Sequence, residues 1–132
     1  MSANQPAVLV VTSSRLIADN AKRVARDAGF ATAAWASNEP SAVRRMQAED
    51  FDVILVDDGA PQPALGLVQR LRELPVPSPA FVVLSSVTYE EHVRVMRDEG
   101  IVGYVAKPFS LSSLVRILSV ARSQARTERH GG

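Results

Sequence analysis

Four apolar runs punctuate the chain: Ala7 to Val11, Val53 to Val56, Ala80 to Leu84 and Val102 to Ala106. Each is nearly continuous in apolar residues instead of alternating with polar ones. A strand of that pattern is covered on both faces, as in a parallel sheet between two helical layers. A weaker run, Phe30 to Ala36, follows Gly29, carries Trp35 and reads as an edge strand. Between the runs the apolar period becomes helical. Ile17, Ala21, Val24 and Ala28 recur at helical spacing, and Gly29 stands where a left-handed cap stops that helix. Val43 and Met46 mark a short second helix after Pro40-Ser41, and Leu67, Leu71 and Leu74 mark a third that ends before Pro75. Thr88 and Glu91 form a capping-box pattern that opens a fourth, closed by Gly100. Leu111, Leu114, Val115, Leu118 and Ala121 give the fifth an apolar stripe, with Ser110 as its N-cap. The order is βαβαβαβαβα. Right-handed crossovers turn such a chain into an α/β fold, a parallel sheet with helices on both faces.

Composition narrows the picture. A chain of 132 residues suits one domain with one core. Residues 7–122 read as that domain, 1–6 as an N-terminal extension and 123–132 as a polar tail or linker. Fifteen basic against fourteen acidic residues leave a formal charge of +1, which gives no reason to expect nucleic acid or an anionic membrane as main partner. There is no cysteine, so disulfides, thiol chemistry and cysteine-held metals are excluded. No apolar stretch approaches the ~20 residues that span a bilayer, and Met1 to Pro6 lack the marks of a signal peptide. The expected setting is soluble and cytoplasmic.

In open parallel sheets, ligands gather at the carboxyl ends of the strands. Asp57, Ser85 and Lys107 each end an apolar run, so one fold brings them to one edge. Their order, Pro61 four residues after Asp57, the aromatic Tyr104 and the run Lys107-Pro108-Phe109 together resemble the receiver (CheY-like) domain of bacterial two-component response regulators. The resemblance spans Ala7 to Arg122. It implies a five-stranded flavodoxin-like sheet of order 2-1-3-4-5, and a phosphorelay signalling module, not an enzyme. It casts Asp57 as phosphoacceptor and metal ligand, with the Gly59 carbonyl as a second Mg²⁺ ligand and Ser85 and Lys107 touching the phosphoryl group. Tyr104 would be the aromatic that swings inward as Ser85 is drawn to that group. The implied partners are a sensor histidine kinase or a downstream signalling protein, with a homodimer as a further arrangement. They would meet a face carrying Arg94, Arg97, Tyr104 and Arg116.

The first strand departs from that pattern. Val8 to Val11 should run into a pair of acids and instead runs into Thr12-Ser13. Mg²⁺ is a hard cation that wants oxygen ligands in octahedral array, and neutral hydroxyls do little to offset its charge. Asp58 follows Asp57 directly, so strand alternation points it to the other face. Gly66 also arrives one residue later than the family places it. The expectation is an atypical receiver with weak or absent Mg²⁺-dependent phosphorylation, signalling by protein docking. A conventional receiver phosphorylated at Asp57 is the alternative within the class. Outside it stand a flavodoxin-like flavin binder and a structural adaptor. The flavin reading is opposed by the lack of glycine from Thr12 to Arg15 and of paired aromatics.

Each residue also has a plainer reading. Thr12-Ser13-Ser14 suits an N-cap cluster. Asp58-Gly59 suits a turn, and Trp35 suits packing. His92, among Glu90, Glu91 and Arg94, reads as solvated, and Lys107 as a salt bridge to Asp57.

Overall fold

The computed structural model describes residues 5–58, 64–85 and 101–131, with the side chains of the last helix described as far as residue 125. Gly59, Pro61, His92, Arg94, Arg97 and the whole helix expected between Thr88 and Gly100 lie outside the described residues. The strands are β1 (Ala7–Val11), β2 (Thr32–Ala36), β3 (Val53–Asp58), β4 (Ala80–Ser85) and β5 (Ile101–Ala106). The helices are α1 (Arg15–Asp27), α2 (Glu39–Ala48), α3 (Ala64–Arg72) and α4 (Leu111–Gly131). All strand pairs are parallel, in the order β2-β1-β3-β4-β5. This is the CheY-like, flavodoxin-like α/β arrangement, with β2 at one edge.

Two apolar layers sandwich the sheet. Val8, Val10, Val53, Leu55, Val82 and Leu84 meet α1 and α4 on one side. Leu9, Val11, Ile54, Val56, Phe81 and Val83 meet α2 and α3 on the other. Burying each such side chain stabilises the fold by about 1.5–3 kcal/mol, which is why the central strands carry almost no polar residue before their last positions. The same alternation carries on beyond the apolar stretch and decides where the polar ends point.

The helix ends follow from local chemistry. Ser14 caps α1 by accepting the Ile17 amide at 3.2 Å. Gly29 follows the helix with φ +93°, the left-handed turn its position in the sequence suggests. Asn38 caps α2 through the Ser41 amide at 2.9 Å, so the helix begins before Pro40 and not after it. Ser110 caps α4 through Ser113 at 3.1 Å. The α4 backbone stays helical through Gly131, across the residues read from sequence as a polar tail or linker. No helix among the described residues is long and apolar enough to cross a membrane.

Candidate functional site

The carboxyl edge of the sheet is divided by strand alternation. On β3, Val53 and Leu55 face α1 and α4 while Ile54 and Val56 face α2 and α3. Asp57 therefore belongs to the first side and Asp58 to the second. The same count puts Thr12, which follows Val11 at the end of β1, on the side of Asp57. It puts Ser85 and Tyr104 on the side of Asp58. Two polar groupings result, back to back across one strand end.

The first is built on Asp57, which is only 4% exposed. Thr12 donates its hydroxyl to Asp57 Oδ2 at 2.7 Å. Lys107 donates its ammonium to Asp57 Oδ1, completing an ion pair. Both carboxylate oxygens thus hold a donor from the protein itself. A buried charge is tolerated only when paired and hydrogen-bonded, and this one is both. The Lys107–Pro108 peptide is cis.

Thr12 is itself fully engaged. Its hydroxyl accepts the Ser14 amide at 3.0 Å, and its carbonyl accepts the Trp35 indole N–H at 2.8 Å. Its own amide donates to the Ala36 carbonyl at 3.1 Å. Trp35 is thus more than packing. A half-buried indole has one donor to satisfy, and here it braces the end of β1 from the edge strand.

The second grouping is built on Asp58. Ser85, fully buried, donates its hydroxyl to Asp58 Oδ2 at 2.8 Å. The backbone N–H of Ala64, the first residue of α3, donates to Asp58 Oδ1 at 2.9 Å. A carboxylate at a helix start meets unpaired amides and the positive end of the helix dipole. Tyr104 packs its ring on the same side, against the core under α2 and α3. Its hydroxyl is buried with no hydrogen-bond partner among the described residues. Such a group costs roughly 1–3 kcal/mol of lost hydration, which the packing of the ring against this core offsets.

Beside Tyr104 lies an open groove of about 520 Å³, lined by Pro108, Phe109, Ser113, Arg116 and Ile117 among others.

Comparison with known proteins identifies the family. The family model of the response regulator receiver domain matches residues 8–119. The chain belongs to the response regulator receiver family. Its signalling context is therefore the two-component system. A response regulator from Thermotoga maritima is 30% identical, with a TM-score of 0.80 over 90% of this chain and 98% of its own. The chemotaxis response regulator CheY4 of Vibrio cholerae, at 24% identity and a TM-score of 0.75 over 89% of this chain and 98% of that one, shares the fold. The transcriptional regulatory protein PdtaR of Mycobacterium tuberculosis is 26% identical over 123 residues, 90% of this chain. This chain spans 58% of the length of that relative.

In this receiver domain the fold brings Asp57 and Lys107 together, with Thr12 as their third member. Ser85 reaches the same edge, but its hydroxyl goes to Asp58 and not to Asp57. Tyr104 and Arg116 meet at the groove, while Ser13 is exposed. Two contributors escaped the reading of the sequence. Alternation alone puts Asp58 on the other face without naming a partner, and Trp35 in the sequence reads as packing. Counting alternation along β4 as well as β3 finds the first. The second depends on an indole reaching across from the neighbouring strand.

Proposed function

We propose that this receiver domain signals by docking to protein partners and takes up phosphate from a donor weakly or not at all. The observation that carries this is the state of Asp57. One oxygen is held by Lys107, and the other by Thr12, where the family's pattern has an acid. A magnesium-like cation needs several hard, charged oxygens around it. Asp57 is the one carboxylate on its side of this edge among the described residues, and Asp58 is committed elsewhere. No group of three or more His, Cys, Asp or Glu among the described residues is placed to hold a metal. The described donors, one carboxylate beside a hydroxyl and an ammonium, are a poor match for such an ion.

Docking then falls to the surface beside β5. Tyr104, Phe109 and Arg116 line the groove there, offering apolar contact with one cation at its rim. A sensor histidine kinase or a downstream signalling protein is the partner class this surface serves. Contact can carry a signal without phosphate, because a partner that favours one of two packings shifts their populations.

The test is incubation with acetyl phosphate and magnesium, followed by intact mass. The expected result is little or no phosphoryl adduct on the wild-type chain and a clear one on Thr12→Asp/Ser13→Asp. Stoichiometric adduct on the wild type, lost in Asp57→Asn, would overturn the proposal in favour of a conventional receiver.

A further inference from the structure

We infer that Trp35 is a positioning residue for the site: from the edge strand β2 it keeps the Thr12 hydroxyl on Asp57. Three neighbouring strand ends carry the arrangement. Trp35 pairs in register with Val10, so Thr12, two residues on, is its diagonal neighbour, within reach of a long aromatic side chain. Val11 pairs with Val56, which sets Thr12 level with Asp57 on the next strand. The line runs from the Trp35 indole to the Thr12 carbonyl at 2.8 Å, and from the Thr12 hydroxyl to Asp57 Oδ2 at 2.7 Å.

The indole stands where the ladder runs out. The Thr12 amide still donates to the Ala36 carbonyl, as a parallel ladder requires. One step further, the Thr12 carbonyl would accept the amide of Asn38, but β2 ends at Ala36 and Asn38 has turned to cap α2. A buried carbonyl without a donor is costly, and Thr12 is fully buried, so the indole N–H takes the missing amide's place. Thr12 is thereby pinned to β2 at both backbone groups, while the Ser14 amide holds its hydroxyl oxygen at 3.0 Å. Other staggered positions of that hydroxyl point away from Asp57. With the carbonyl released, the Thr12–Ser13 peptide can rotate, and the hydroxyl tied to Ser14 turns with it. Asp57 would then keep Lys107 alone. A half-buried ring on the edge strand thus decides whether a carboxylate two strands away keeps its second donor.

Trp35 is the only tryptophan of the chain, so a tryptophan auxotroph grown on benzothienylalanine changes this position alone. That analogue carries sulfur in place of the ring N–H, which removes the donor and keeps the ring. The readout is the carboxylate carbon resonance of Asp57 at one fixed neutral pH, assigned by its loss in Asp57→Asn. The analogue should move this resonance most of the way from its wild-type position to that of Thr12→Val, and Trp35→Phe should move it in the same direction. In Thr12→Val the analogue should leave it still, because no hydroxyl remains to be misplaced. Urea unfolding of the same proteins closes a double-mutant cycle. Thr12→Val should raise the unfolding constant at least about threefold more with the indole N–H than without it. The inference is overturned if the analogue does not move the resonance toward that of Thr12→Val. It is equally overturned if the analogue acts as strongly in Thr12→Val, or if the two unfolding losses simply add. The inference rests on the reading above of Thr12 as a donor that satisfies Asp57, yet its readout uses no phosphoryl donor, metal or partner. Its failure is therefore separable from that of the mass measurement.

Discussion

Asp57 is a single charge between two donors, and that arrangement sets the sign of its substitution. Where carboxylates crowd one strand end, neutralising one of them relieves like-charge repulsion. Here the neighbours are the Thr12 hydroxyl and the Lys107 ammonium, both attractive. Asp57→Asn keeps the shape but takes the ion-pair partner from a lysine whose side chain is only 22% exposed. Urea unfolding should show a loss of about 1–3 kcal/mol with an unchanged slope. A gain in stability would mean that Asp57 sits among other negative charges after all. Tyr104→Phe should behave in the opposite way. It deletes a buried hydroxyl that bonds to nothing among the described residues, so stability should hold or rise by up to about 1 kcal/mol. A clear loss in the same urea series would reveal a partner for that hydroxyl.

Among the elements, the contact of β5 with α4 is close enough for a single substitution to probe it. A Cβ built on Gly103 would lie 2.6 Å from Cγ2 of Ile117 and 3.3 Å from Cγ2 of Val82. Gly103→Ala should therefore overpack this contact and cost about 1–3 kcal/mol. Ile117→Ala in the same chain should recover part of that loss, and a double-mutant cycle measures the coupling. Strictly additive losses would show that α4 moves aside freely. That contact could not be read from the chain, since Gly103 within an apolar run says nothing of which helix crosses it. What was legible has local causes. Continuous apolar runs mark four of the strands and a weaker run the edge strand β2, Gly29 marks the end of α1, and Ser14 and Ser110 stand ready as caps. The separation of Asp57 from Asp58 followed from a period of two. The rest depends on long-range register. Ser85 meets Asp58 only because β3 and β4 end level with each other, and Trp35 meets Thr12 only because β2 lies beside β1. The helical backbone from Ser123 to Gly131 was read as tail because its residues are polar, yet arginine, glutamine and alanine are good helix formers that continue a helix already begun.

For the whole molecule, the absence of an acidic cluster among the described residues has a consequence for linkage. A ligand that binds only the folded state stabilises it, by about 2.7 kcal/mol at a hundred times its dissociation constant. For a domain of this size that is worth roughly 4 °C of melting temperature per kcal/mol. A receiver domain with a working magnesium site must therefore melt at a higher temperature when the ion is added. On the function proposed above, the Asp57 carboxylate, held by Lys107 and Thr12, gives magnesium little to gain by displacing them. Its melting temperature should be the same in millimolar magnesium and in excess chelator. Thr12→Asp/Ser13→Asp supplies the contrast within the same fold. Two new acids beside Asp57 should repel one another in chelator and lower the melting temperature, and magnesium should restore it. A rise of several degrees on adding magnesium to the wild type would show that the ion finds enough oxygen ligands at this edge. The Thr12–Asp57 bond would then be a contact that yields to the metal, not a replacement for it.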